Sequence, residues 1–250
     1  MRVSLREEGV EIPVGGDLIS GFLVEPADGG RERPGLVLLH EVHGLTDAMR
    51  ETARRLAREG FAVLAPDLFS REGGPGPLPD LPSIRARVAA TSDRRAVWDA
   101  EAACAFLEGL PRVDGRRLAA IGLCLGGTFA FLLAAHSRRL RAAVTFYGRV
   151  VYESQAVEKP TSPIDLAANL SCPWLGLFGE RDEEIPRASL DALERRLSQF
   201  GKEFEIAVFP RAGHGFLDAS RAGFDPDAAA QAWRRAIAFL RARLGEDEGE

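Results

Sequence analysis

The sequence predicts an α/β architecture, a mostly parallel central sheet flanked by helices on both faces. Three observations carry that expectation. Five short runs have the length and composition of strands buried on both faces: Leu36-Val37-Leu38-Leu39, Phe61-Ala62-Val63-Leu64-Ala65, Leu118-Ala119-Ala120-Ile121, Ala142-Ala143-Val144-Thr145-Phe146 and Trp174-Leu175-Gly176-Leu177-Phe178. Segments with apolar residues at helical spacing alternate with them. Finally, Gly122-Leu123-Cys124-Leu125-Gly126-Gly127 joins one strand to an apolar helical stretch from Thr128 to Ala135, the composition that a sharp strand-to-helix turn requires. A chain of 250 residues suits a single such domain over residues 1–244. The acidic stretch 245–250 lacks apolar residues and reads as a frayed tail.

In chain order, Val3 to Arg6 and Leu18 to Val24 alternate as an antiparallel pair would, with the turn residues Gly15-Gly16-Asp17 between them. The run 36–39 ends at His40-Glu41-Val42-His43-Gly44. Met49, Ala53 and Leu56 then mark a helix that stops at Gly60. After the run 61–65 comes a Gly- and Pro-dense surface loop over 71–82, followed by a helical region from Ser83 to Leu110 that is broken once. Beyond Phe146, residues 149–163 form an irregular connection. Leu190, Leu193, Leu197 and Phe200 mark a helix opened by Pro186 and closed by Gly201, and Phe204, Ile206 and Val208 alternate as in a half-exposed strand. Asp225-Pro226 caps a final helix bearing Trp233, Ile237, Leu240 and Leu244 on one face.

Composition excludes several classes of function. A net charge of −5 gives no electrostatic reason to expect nucleic acid. No apolar run approaches a membrane span and the N-terminus lacks a signal-peptide core, so a cytoplasmic protein without membrane partners is expected, as a monomer or small homo-oligomer. Three cysteines with no CxxC pair give no disulfide framework. Cys104 lies on a helical apolar stripe and Cys172 at the start of a strand, both packing positions.

Cys124 is different. Glycines on either side of a nucleophilic residue, between strand and helix, form a nucleophile elbow, in which the central residue is strained and its side chain presented. In parallel α/β sheets, chemistry gathers at the carboxyl ends of strands. Glu41, Cys124, Asp182 and His214 all follow such ends. The order Cys124, Asp182, His214 is that of nucleophile, acid and histidine in α/β hydrolases. A thiol needs a base to become a thiolate, the imidazole of His214 supplies it, and the carboxylate of Asp182 fixes the imidazole tautomer. Glu180, Glu183 and Glu184 compete for the acid role; the place of Asp182 past the strand-end Gly179-Glu180 favours it. His40 and His43 flank Glu41 and read either as residues supporting the site from behind or as simple loop polars, and His136 as a helix-end cap or surface residue. Backbone N–H groups of Val42 and Leu125 would form the oxyanion hole. No metal or organic cofactor is implied.

With these residues in place, the chain resembles the dienelactone hydrolase family over nearly its full length. The matching pieces are His40-Glu41-Val42-His43-Gly44-Leu45, Met49-Arg50-Glu51-Thr52, Ala65-Pro66-Asp67-Leu68-Phe69, the elbow 122–127, Tyr147-Gly148, Gly179-Glu180-Arg181-Asp182 and Gly213-His214-Gly215-Phe216. The resemblance implies an ester or lactone hydrolase working through an acyl-cysteine on small activated, enol-type substrates, with Glu41 helping to take the thiol proton. It also implies arginines that hold a substrate carboxylate. One is expected four residues after the histidine, where this chain has Asp218, which leaves Glu41 without its family partner. Arg85 or Arg87 could supply another, and Tyr147 and Phe216 are further candidate substrate contacts. A thioesterase or peptidase on the same scaffold, and a non-catalytic thiol redox sensor, are the alternative readings.

Overall fold

The computed structural model describes residues 3–28, 32–74, 76 and 78–245. Of the acidic tail, residues 246–250 lie outside this set. Eight strands form one sheet: β1 Leu5–Val14, β2 Asp17–Pro26, β3 Arg33–Leu39, β4 Ala62–Pro66, β5 Val113–Leu123, β6 Leu140–Phe146, β7 Trp174–Gly179 and β8 Phe204–Phe209. Their spatial order is β1-β2-β4-β3-β5-β6-β7-β8. Strands β4, β3, β5, β6, β7 and β8 pair in parallel, and β1 and β2 add an antiparallel edge. The helices are α1 Asp47–Arg58, α2 Leu81–Ala90, α3 Asp93–Glu108, α4 Leu125–His136, α5 Arg187–Gln199 and α6 Pro226–Leu244.

The central strands follow their sequence: every residue of β3, β4 and β7 is buried, as apolar runs covered on both faces must be. One helical layer joins α1 to α6, where the Arg55 guanidinium lies 4.0 Å above the Trp233 ring and Arg241 reaches Glu59 at 2.9 Å. On the other, α3 packs against α4. Capping sets the helix starts. Thr46 accepts from the Met49 N–H, Asp80 from Ser83 and Asp225 from Ala228, each satisfying an N–H that the first turn leaves without an acceptor. Gly60 ends α1 at φ 103°, the left-handed backbone that glycine adopts without penalty.

The structure departs from the sequence reading in four places. The opening hairpin is much longer than Val3–Arg6 and Leu18–Val24; the exposed glutamates and Gly9 of β1 hide its pattern, and full pairing with β2 supplies the missing order. β5 starts at Val113, ahead of the apolar run that announces it. The helical region breaks at Thr91-Ser92, with its first segment beginning at Leu81. A short 3-10 segment, Pro163–Asn169, follows the irregular connection.

Candidate active site

The elbow is built by close contact. Cys124 sits at φ 52°, ψ −118°, between the end of β5 and the start of α4. A non-glycine residue held there costs on the order of 1–3 kcal/mol and needs a surround that over-determines it. That surround is backbone. A Cβ on Gly122 would run into the carbonyl of Gly126, and one on Gly126 into the carbonyls of Leu39 and His40. Gly127 lies against the carbonyl of Phe146, and the Gly127 carbonyl accepts from Thr145 Oγ1 at 2.9 Å. The hydroxyl of Thr145 in turn accepts from Trp174 Nε1 at 3.0 Å, so a fully buried polar chain fastens α4 to β6 and β7.

Five neighbouring strands deliver the functional side chains to one rim: Glu41 after β3, Cys124 after β5, Tyr147 after β6, Asp182 after β7 and His214 after β8. His214 Nε2 lies 3.2 Å from the Cys124 sulfur and Nδ1 lies 2.8 Å from Asp182 Oδ2. The Asp182 side chain is wholly buried, and its other oxygen accepts from the Glu184 N–H at 2.9 Å. Burial acts against a charged imidazole, but the hydrogen bonds to Asp182 and Cys124 outweigh it and raise His214 to about 11. Protonated, it donates from both nitrogens. Burial pushes Cys172 up to about 12 and Cys104 higher still, so neither offers a thiolate near neutrality.

The two expected oxyanion donors lie in the turn after β3 and directly after Cys124. Leu125 is the first residue of α4, so its N–H has no acceptor within the helix. Val42 occupies the turn closed by Gly44 N–H to Glu41 carbonyl at 3.0 Å, which leaves the Val42 N–H outside the turn's own bond. His40, fully buried, holds this turn: its Nδ1–H donates to the Glu41 carbonyl at 2.7 Å and its Nε2 accepts from the Leu68 N–H at 3.0 Å. Among the described residues, no cluster of three His, Cys, Asp or Glu side chains is arranged to hold a metal ion. No helix among them is long and apolar enough to cross a membrane.

The profile of the dienelactone hydrolase family matches residues 19–244. The chain belongs to the dienelactone hydrolase family. A Methylorubrum extorquens protein provisionally named a carboxymethylenebutenolidase is 35% identical over 233 residues, covering 93% of this chain and 79% of the relative. A Bradyrhizobium protein provisionally named a 2-oxo-3-(5-oxofuran-2-ylidene)propanoate lactonase is 34% identical over 235 residues, 94% of each chain. A Klebsiella pneumoniae crystal structure, provisionally titled a dienelactone hydrolase, superposes with a TM-score of 0.90 at 29% identity, covering 95% of this chain and 98% of that one. The chain is thus a hydrolase with the α/β-hydrolase fold.

Against the pattern expected of a dienelactone hydrolase, the surroundings of Glu41 need correction. Asp218 does stand at the fourth position after the histidine, but Glu41 is not left alone: Arg221 Nη2 lies 3.1 Å from Glu41 Oε2 and 3.5 Å from His43 Nδ1. The loop after His214 folds back through bonds from Asp218 N–H to Gly215 O and Arg221 N–H to Asp218 O, each 3.0 Å, which returns the guanidinium to the rim. In the sequence only the glycine that makes room for it is visible. Gly215 adopts φ 73°, and a Cβ there would collide with the Arg221 side chain, so the glycine after the histidine makes room for the arginine.

The substrate contacts expected of Tyr147 and Phe216 are absent from the accessible surface. Both residues are fully buried, the Tyr147 ring packing edge-on against His214 at 5.4 Å and against Phe216 at 5.3 Å. They form a floor beneath the imidazole. Of the two candidate arginines, Arg85 is exposed on α2, whereas Arg87 turns inward, its guanidinium 4.8 Å above the Phe69 ring. Its Nη1 is buried without a partner among the described residues.

Proposed function

We propose that this hydrolase cleaves small activated esters or lactones through an acyl-cysteine on Cys124. The observation that carries the reading is the unbroken line from Asp182 through His214 to the sulfur, at 2.8 and 3.2 Å. The Cys124 thiol proton passes to His214 Nε2 and the thiolate sulfur forms a bond to the substrate carbonyl carbon, whose oxygen, now an anion, takes hydrogen bonds from the Val42 and Leu125 N–H groups. The carbon–oxygen bond to the leaving group breaks as Nε2–H of His214 protonates the departing oxygen. Water then adds to the acyl carbon while His214 takes its proton. The carbon–sulfur bond breaks, and acid and thiolate–imidazolium pair are released. Asp182 holds the tautomer throughout.

Enol leaving groups suit this chemistry because they depart without strong assistance. The name of the Bradyrhizobium relative describes a lactone of that kind, bearing a carboxylate. Arg221, paired with Glu41, supports extending the carboxylate preference to this chain: an anionic substrate group competes with Glu41 for the guanidinium, and the released carboxylate is then free to turn towards Cys124 and help the thiol proton on to His214, the helping role the family resemblance implies.

Incubation with 4-nitrophenyl acetate, rapid acid quench and peptide mass spectrometry test the reading. An acetyl group on the Cys124 peptide is the expected result. Acetylation confined to Cys104 or Cys172, or release of nitrophenol without any adduct in rapid-quench samples, rejects it.

A further inference from the structure

Two buried polar atoms beside the site have no hydrogen-bond partner among the described residues: the Tyr147 hydroxyl and Glu41 Oε1. A lone buried hydroxyl is a cost to the fold, since it gives up water and gains nothing. Phenylalanine would fill the same volume without that cost, and the chain places phenylalanine at Phe146 and Phe216 against this ring. The tyrosine also sits at φ 39°, one of two non-glycine residues at positive φ among the described residues, the other being Cys124 itself. Strain of this kind marks a side chain that is being aimed.

The aim is fixed. The Tyr147 N–H donates to the Leu177 carbonyl at 2.9 Å, Gly148 is wedged against Gly127, and the ring is held edge-on by His214 and Phe216. The hydroxyl cannot swing away to find a partner elsewhere. After burial, the charges that most perturb the phenol are those of Glu41 and Cys124, with Arg221 and Asp218 beyond them, and together burial and the two anions keep it protonated well above its ordinary range. It is therefore a donor. Glu41 offers the matching vacancy, because Arg221 occupies Oε2 and leaves Oε1 with no donor.

We infer that Tyr147 is the positioning residue for Glu41, its O–H donating to Oε1 when the carboxylate turns off Arg221 towards Cys124. The inference rests on the hydrolytic reading given above. A hydrogen bond donated to the ionised carboxylate holds it in place beside the sulfur, while the strained backbone and packed ring of Tyr147 do not move.

The test is a double-mutant cycle on the full chain comparing wild type, Y147F, E41Q and the double variant, with kcat/KM read on a carboxylate-bearing enol lactone and acetyl-Cys124 from 4-nitrophenyl acetate followed by mass spectrometry. A hydrogen bond to a charged group corresponds to a loss of about tenfold to a hundredfold in kcat/KM for Y147F. In the E41Q background the same change should cost less than about twofold, because there is no carboxylate left to hold. The melting temperature of Y147F should equal or exceed that of wild type, since the variant removes an unpaired buried hydroxyl. Wild-type-like kcat/KM in Y147F, an equal loss in both backgrounds, or a lowered melting temperature each overturns the inference. If wild type itself never carries an acetyl group on Cys124, the hydrolytic reading fails and takes the inference with it; if wild type acylates and the cycle is additive, only the inference fails.

Discussion

His40 is a buried imidazole and His214 a half-buried one, each with an aspartate nearby, on loops one strand and five strands along the same sheet edge from β4, yet their ionisation is driven in opposite directions. His40 is pushed below its ordinary value by burial, although Asp67 Oδ1 lies 3.7 Å from Nε2. His214 is raised to about 11. The difference lies in what the nitrogens face. Nε2 of His40 accepts from a backbone N–H and so has no room for a proton, whereas both nitrogens of His214 face acceptors. A nearby carboxylate does not make a base. One histidine braces the Glu41 turn, and the other is placed to move protons.

The largest expected effect sharpens this contrast. H214A should lower kcat/KM for 4-nitrophenyl esters by about 10⁴-fold, a loss of activity that far outweighs its loss of stability. H40A should do the reverse. It leaves the Leu68 N–H and the Glu41 carbonyl unpaired beside a new cavity, a loss of about 2–4 kcal/mol in urea titration, with a smaller loss of activity per folded molecule. A folded H40A protein with activity as low as that of H214A breaks the comparison.

Next in size are the two aspartates. D182N should cost about 10³-fold in kcat, because an amide cannot accept from both the Glu184 N–H and the imidazole as the carboxylate does. D67N keeps an oxygen for the Phe69 N–H and should cost less than about tenfold. A smaller effect is expected where Arg221 meets Glu41. R221M should raise KM for a carboxylate-bearing enol lactone by about tenfold and that for a neutral ester by much less, measured side by side at one ionic strength.

The contrast extends to the pH dependence of stability. A raised histidine pKa contributes stability that is fully present below the unfolded value, near 6.5, and is lost as pH climbs towards 11, so H214Q should flatten the alkaline decline over that window. A depressed one acts on the other side: His40 stays neutral in the fold while the unfolded chain takes up a proton, so its burden appears as pH falls below about 6.5. Urea midpoints across pH for H214Q and H40Q check both signs.

Much of the site was legible in the sequence because its geometry is written in glycine. Gly122, Gly126 and Gly127 have no room for a Cβ, and so announce the residue they surround. Asp182 and His214 were legible as residues just past strand ends. The central strands were legible because burial on both faces leaves uniformly apolar runs, whereas β1, exposed and glutamate-rich, gives no such run. Arg221 was not legible, because it reaches Glu41 only through the fold of a loop, and a count of residues from His214 points to Asp218 instead. The burial of Tyr147 and Phe216 was hidden for a similar reason: a motif states that residues recur together, not which of them faces solvent.

The contact of Gly126 with the carbonyls of Leu39 and His40 has a consequence for how such an enzyme can change. The sulfur and the Val42 amide come from separate strands, but with atoms touching behind them the slot between them cannot widen without displacing β3 from β5. The loop from Gly215 to Phe224 is held instead by its own short turns and by Gly223, which accepts from the Gly213 N–H and packs on the His214 backbone. A change of shape on that flank therefore reaches Glu41 through Arg221 and the imidazole through Gly223, whereas β3 and β5 stay locked together.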